Sequence, residues 1–256
     1  MPRFSVCIPA LFPRVSPEEC LPQIKALGYE AWETWALDLG EVTELRGLNE
    51  ELDLSLATFS GHASLPEGLN RVENHARIIE ELRHTIEAAR ALGCPGLICF
   101  SGNRIDGMGQ EEQIEALVAG LRAAAPMAEE AGVNLNLELL NTKVDHPGYF
   151  NDSTTIGLEI VQRVDSLRVK LLYDIYHMQI MEGNLIATIS ENIEHIGHFH
   201  AAGVPGRHDM DESQEINYHA VFKAIDQTGY QGFVGLEYWP QGGVAESLKR
   251  FLDTYS

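Results

Sequence analysis

The sequence predicts an α/β fold, a (β/α)8 barrel forming a single domain over residues 1–256, and three observations predict it. Eight short apolar runs alternate with helix-like segments, and four helix-to-strand junctions carry a glycine. No Pro/Gly/Ser-rich linker or low-complexity tract divides the chain, and 256 residues is a common length for one such barrel.

The runs, in order, are FSVCIP (4–9), YEAWETW (29–35), LDLSLATF (52–59), GLICFS (96–101), VNLNLELL (133–140), RVKLLYD (168–174), HIGHFHA (195–201) and GFVGLEYW (232–239). Each has strand length and a β-branched or aromatic bias. The clearest helices between them cover 70–92, with apolar positions such as Val72, Ala76 and Ile79, and 111–131. The segments KALGYEAWE, RALGCPGLICF, EEAGVNLNLELL and DQTGYQGFVGLE repeat one pattern, a helical run, a glycine and a strand. Gly28, Gly93, Gly132 and Gly229 are therefore expected to end helices in the left-handed conformation. A doubly wound open sheet is the alternative, but it usually brings a Gly-rich phosphate turn, and none is evident.

The formal charge is −20, from 18 basic and 38 acidic residues spread along the helices. That excludes general binding to a phosphate backbone and to anionic membranes, so the expected partner is a small molecule, with no nucleic acid and no membrane. A homo-oligomer stays open. Cys7, Cys20, Cys94 and Cys99 form no C-x-x-C pair and read as buried filler with reduced thiols. With no leader and no bilayer-length apolar stretch, the sequence reads as cytoplasmic. H-E-x-x-H, Walker and G-x-S-x-G motifs are absent from it.

Glu138, Asp174, His200 and Glu237 each lie at or near the end of a predicted strand. Parallel consecutive strands would bring them together on one rim. Three unpaired carboxylates would repel, whereas with an imidazole they suit a divalent metal. Strand parity puts Asn136 and His198 one layer below, where they would orient the ligands. His177 follows Asp174 as D-I-Y-H and would rise just above the metal plane, where it could hydrogen-bond a substrate oxygen; a satisfied loop histidine is an equal reading. Arg207, in the loop GVPGRHD, could anchor a substrate carboxylate or hydroxyl through its planar fork. His62 and Glu33 lie on the same expected rim, and Trp35 and Trp239 could wall the pocket; for these four, core or rim packing is an equal reading.

Through LELLNTKVDHPGYF, YDIYHMQIMEGNL, IGHFHAAGVPGRH and EINYHAVFKAIDQTGYQGFVGLEY, the chain resembles the xylose isomerase-like barrels and, among them, the hydroxypyruvate isomerase family. The resemblance implies a barrel that binds Mn²⁺ or Mg²⁺ and isomerises a small hydroxy-carbonyl acid or sugar. It further implies that Glu138, Asp174 and Glu237 are metal-binding positions, that Glu138 and Glu237 are the proton-transferring pair, and that His177 and Arg207 contact substrate. Two places depart from that family. His200 stands where its members commonly carry Gln and is similar to ketose 3-epimerases, and SGHASLPEGLN differs from their usual segment after strand three.

Overall fold

The structure is a computed structural model and describes residues 1–255. Nine short strands form one parallel sheet: β1 (Arg3–Cys7), β2 (Ala31–Glu33), β3 (Ser55–Leu56), β4 (Phe59–Ser60), β5 (Gly96–Cys99), β6 (Asn134–Glu138), β7 (Val169–Asp174), β8 (Ile196–Ala201) and β9 (Phe233–Leu236). Ten helices alternate with them: α1 (Ile8–Leu11), α2 (Pro17–Ala26), α3 (Val42–Leu52), α4 (His75–Leu92), α5 (Gln110–Ala131), α6 (Thr154–Val164), α7 (Ile175–Met181), α8 (Leu185–Asn192), α9 (Tyr218–Gln227) and α10 (Val244–Tyr255). None of the described helices is long and apolar enough to cross a membrane.

The sheet order is β3-β2-β1-β9-β8-β7-β6-β5-β4. β3 and β4 are consecutive pieces of the predicted third strand, so the two ends of the order meet. The first piece pairs with β2, continued by the Ala57 N–H to the Trp32 carbonyl at 2.8 Å. The second pairs with β5, continued by the Gly61 N–H to the Ile98 carbonyl at 2.8 Å. Thr58 Oγ1 bridges the switch by donating to the Gly96 carbonyl at 2.9 Å. One stave of the barrel is thus shared between two neighbours, which is why the eight predicted runs appear as nine strands.

Gly28, Gly93, Gly132 and Gly229 have φ of 97°, 67°, 72° and 79°, the left-handed turn from helix to strand that the sequence predicts. The predicted helix over 70–92 needs correction. α4 starts at His75 after a single 3₁₀ turn at Val72–Asn74, and Val72 is exposed. Its core face is Ile78, Leu82, Ile86 and Ala89 rather than the stripe of Val72, Ala76 and Ile79. Both stripes have helical spacing, and the one carrying more apolar area is the one buried. All four cysteines are free and buried, and burial pushes the thiols of Cys20, Cys94 and Cys99 up to about 12.

Inside the barrel the layers differ in character. Ala31, Ala57 and Phe233 make an apolar plug. Above it lies a polar layer with Ser5, Glu33, Asn136 and His198, all buried. The C-terminal strand ends close the top, where barrels of this class place their chemistry.

Candidate active site

The β-ladder register brings the four strand-end groups together. Asp174 of β7 pairs with His200 of β8, and His200 pairs with Gly235 of β9. Glu138 closes β6 opposite Leu172, and Glu237 follows β9 with its N–H donating to the Ala201 carbonyl at 3.1 Å. All four side chains are buried, and one potential ligand atom from each lies within 4.8 Å of the others. His200 Nδ1 is 3.3 Å from Glu237 Oε2, 3.5 Å from Glu138 Oε1 and 3.9 Å from Asp174 Oδ2. Among the described residues Nδ1 has no hydrogen-bond partner.

A buried, unpaired ring nitrogen facing three carboxylates is what a cation site requires, and the O₃N donor set suits Mg²⁺ or Mn²⁺. Electrostatics point the same way. Burial raises the Asp174 carboxyl to about 7 despite the nearby Arg207 and His200, and repulsion from Glu237 adds to the rise. Burial would raise Glu237 as well, but Arg207 and His200 hold it well below the usual carboxylate range. Burial disfavours charge on His200, yet Glu237 and Glu33 raise its pKa well above the ordinary value. The cluster holds more negative charge than its own side chains neutralise, and a divalent ion would relieve it.

Asp174 has a second task. Its Oδ1 accepts the His177 N–H at 2.9 Å and so caps α7, which fixes His177 beside the cluster. His177 Nδ1 is 2.7 Å from Asn141 Nδ2, so the amide donates and the ring proton sits on Nε2. Nε2 is 3.5 Å from Asp174 Oδ2. Burial, then the Arg207 charge, push the His177 pKa well below its ordinary value and keep it neutral. Asn141 in turn donates to Asp145 Oδ2 at 2.6 Å, and Tyr176 does so at 2.8 Å. Sequence reasoning missed Asn141, Asp145 and His146, whose ring centroid lies 5.3 Å from that of His177. Their only sequence signal was the segment LELLNTKVDHPGYF that carries them.

Arg207 is buried with its guanidinium on Glu237 Oε2, 3.7 Å from Asp174 Oδ2 and stacked 5.0 Å from the Trp239 ring. The other oxygen of Glu237 accepts the Trp35 indole N–H at 2.6 Å. Trp35 and Trp239 face each other at 6.4 Å across the mouth of a cavity of about 500 Å³. Leu65, Ile98, Phe100 and Leu140 wall it, and Glu138, His200, Arg207 and Glu237 line it too. His62 is on this wall but is tied to the backbone, its Nε2 accepting the Phe100 N–H at 2.9 Å. A larger groove of about 740 Å³ beside α10 contains none of the converging ligands. Its buried acid, Asp209, is already satisfied by Ser247, Arg250 and the Gln241 N–H.

Of the expected supporting pair, His198 packs edge-on against the His200 ring, with centroids 5.2 Å apart, but neither it nor Asn136 makes a hydrogen bond to a ligand. Asn136 Oδ1 lacks a partner among the described residues. His198 Nε2 instead meets Glu33 Oε2 at 3.0 Å, and Glu33 Oε1 lies 3.1 Å from His200 Nε2. Burial opposes the charge on Glu33, but His200 and His198 bring its pKa to about 2.

The family model of the xylose isomerase-like TIM barrel matches residues 21–255. The hydroxypyruvate isomerase of Escherichia coli is 37% identical over 180 residues, 69% of this chain and 69% of its own length. The 2-oxo-tetronate isomerase of Pectobacterium atrosepticum is 34% identical over 188 residues, 73% of this chain and 69% of its own. A crystal structure described as an AP endonuclease, family 2, from Brucella melitensis superposes with a TM-score of 0.86 at 26% identity, covering 100% of both chains. With most of its length matched by that family model, the chain belongs to the xylose isomerase-like TIM barrel family, alongside relatives named as isomerases.

Proposed function

We propose that the protein is a divalent-metal-dependent isomerase of a small hydroxy-carbonyl acid or sugar, working by proton transfer between Glu138 and Glu237 through an enediolate. The observation that carries this reading is the buried Glu138–Asp174–His200–Glu237 set with an unpaired His200 Nδ1 facing the three carboxylates. The two relatives named above act, by their names, on hydroxypyruvate and a 2-oxo-tetronate, both hydroxy-carbonyl acids.

The four residues would hold Mn²⁺ or Mg²⁺. A divalent ion bound there supplies Lewis acidity toward adjacent carbonyl and hydroxyl oxygens, which acidifies the carbon-bound proton. The chain does the rest. Both glutamates are buried at the rim, where bulk water does not compete for the proton they move. One takes the proton from carbon, and the same or the facing glutamate delivers a proton to the neighbouring carbon, while the hydroxyl proton passes to the former carbonyl oxygen. Neutral His177 offers its Nε2–H to a substrate oxygen. Arg207 exchanges part of its pairing with Glu237 for a substrate carboxylate or hydroxyl. Trp35, Trp239 and the apolar wall exclude solvent from the intermediate. His62, on that wall, would border the substrate.

The second reading is a ketose 3-epimerase, in which the proton returns to the opposite face of the same carbon. His200, similar to the residue of those enzymes, favours it. A DNA-directed activity finds no support in a chain of charge −20. The test is a Mn²⁺-supplemented screen of small keto acids, tetroses and ketohexoses in D₂O, read by NMR. Isomerisation moves the carbonyl, and epimerisation changes only the stereocentre. On the substrate so found, Glu138→Gln and Glu237→Gln should each lower kcat by at least about 10²-fold, the low end for loss of an acid–base group. Near-wild-type rates in both variants would refute the mechanism.

A further inference from the structure

Glu33 sits at the end of β2, across the barrel from the cluster, and is buried. Its two oxygens have divided duties. Oε2 accepts the Ser5 hydroxyl at 2.7 Å and meets His198 Nε2 at 3.0 Å, which occupies it fully. Oε1 faces only His200 Nε2, at 3.1 Å, without the alignment of a finished hydrogen bond, so both atoms count as unpaired. The barrel reserves space for this carboxylate. A Cβ on Gly235 would fall closer than 3.0 Å to both Glu33 oxygens, a separation no real Cβ tolerates.

We propose that Glu33 is a positioning residue for the metal site: it holds the proton of His200 on Nε2 and thereby presents a bare Nδ1 to the ion. The proposal rests on the reading that the cluster binds a divalent metal. The physics is that of tautomers. An imidazole with its proton on Nδ1 would aim an N–H at the three carboxylates and have no lone pair for a cation, whereas a carboxylate on Nε2 selects the opposite form and raises the basicity of Nδ1. His198 and Ser5 act one step further out, fixing the carboxylate that fixes the ligand. The trio Glu33–His198–His200 also lies close enough to be considered a second ion site. The 3.0 Å contact of Glu33 with His198 is a hydrogen bond, Ser5 fills the same outer oxygen, and only Oε1 is left, turned toward His200 Nε2 at 3.1 Å, so a relay accounts for the trio better.

The experiment measures Mn²⁺ binding to the whole protein by isothermal titration calorimetry, for wild type, Glu33→Gln and Ser5→Ala. Long-range ¹H–¹⁵N spectra of the Mg²⁺-loaded protein report the His200 tautomer. Wild type should bind one ion with His200 protonated on Nε2. Glu33→Gln should bind about 10- to 100-fold more weakly and lose the single tautomer. Ser5→Ala keeps the carboxylate and should show a smaller weakening in the same direction. A merely structural role would lower the melting temperature of free and loaded protein alike and leave Kd unchanged. Unchanged Kd in Glu33→Gln overturns the proposal; if that variant does not fold, unchanged Kd and tautomer in Ser5→Ala do so. Absence of Mn²⁺ binding in wild type instead overturns the metal reading itself, and the positioning role with it.

Discussion

Single residues in this barrel carry charge states that their surroundings dictate. His62 is one that can be isolated from the cluster. Buried on the cavity wall with its Nε2 accepting a backbone N–H, it has a pKa lowered by burial from 6.5 to about 4. The folded state therefore resists a proton that the unfolded chain accepts, so the stability due to neutral His62 is complete above pH 6.5 and is lost as the pH falls toward 4. The displacement corresponds to about 3 kcal/mol. In urea titrations at pH 7 and pH 4, wild type should lose about that much more stability than His62→Gln. Equal losses in the two proteins would mean that His62 stays solvated in the fold. Residue identity alone misleads as often as it helps at this scale. Glu30 and Glu33 lie three apart in one segment, yet Glu30 is solvent-facing and Glu33 is buried against two histidines. The partner His198 is 165 residues away, so nothing local in YEAWETW announces the contact.

Elements show what sequence patterns capture and what they leave to tertiary pairing. The strand ends were legible because an apolar run terminating in Glu, Asp or His is a local signal, and parity then assigns the face. The split of the third strand was not legible, since LDLSLATF contains no glycine or proline and the break comes from a change of neighbour between β2 and β5. The face of α4 was misread for a related reason: two stripes fit a helix, and only packing selects Ile78, Leu82 and Ile86. The loop GVPGRHD was legible as unusual. It puts Arg207 in the left-handed region at φ 56°, a cost of about 1–2 kcal/mol that the burial of its guanidinium on Glu237 offsets. At the other side of the barrel, α10 packs Phe251 edge-on against Phe4, with ring centroids 4.8 Å apart, and against Phe222 at 6.0 Å. Phe251→Ala should cost about 3–5 kcal/mol in equilibrium unfolding. A loss below about 1 kcal/mol would show that α10 is not part of the cooperative core.

For the whole molecule, the consequence of barrel closure is convergence. Residues separated by 99 positions, from Glu138 to Glu237, meet because β6 to β9 are adjacent, parallel staves. Below them the apolar plug and the polar layer keep water out, so charges at the rim interact strongly. The same convergence leaves Asp174 raised and Glu237 lowered within a few ångströms of each other, a balance that a bound divalent ion would reset. The most direct test of the claim that this cluster binds a metal for proton transfer is deuterium exchange from D₂O into the substrate carbon, followed by NMR. It is run on protein stripped with EDTA and then titrated with Mn²⁺. The account predicts that exchange vanishes on stripping and returns at about one Mn²⁺ per chain. Exchange that continues undiminished in the stripped protein would contradict it.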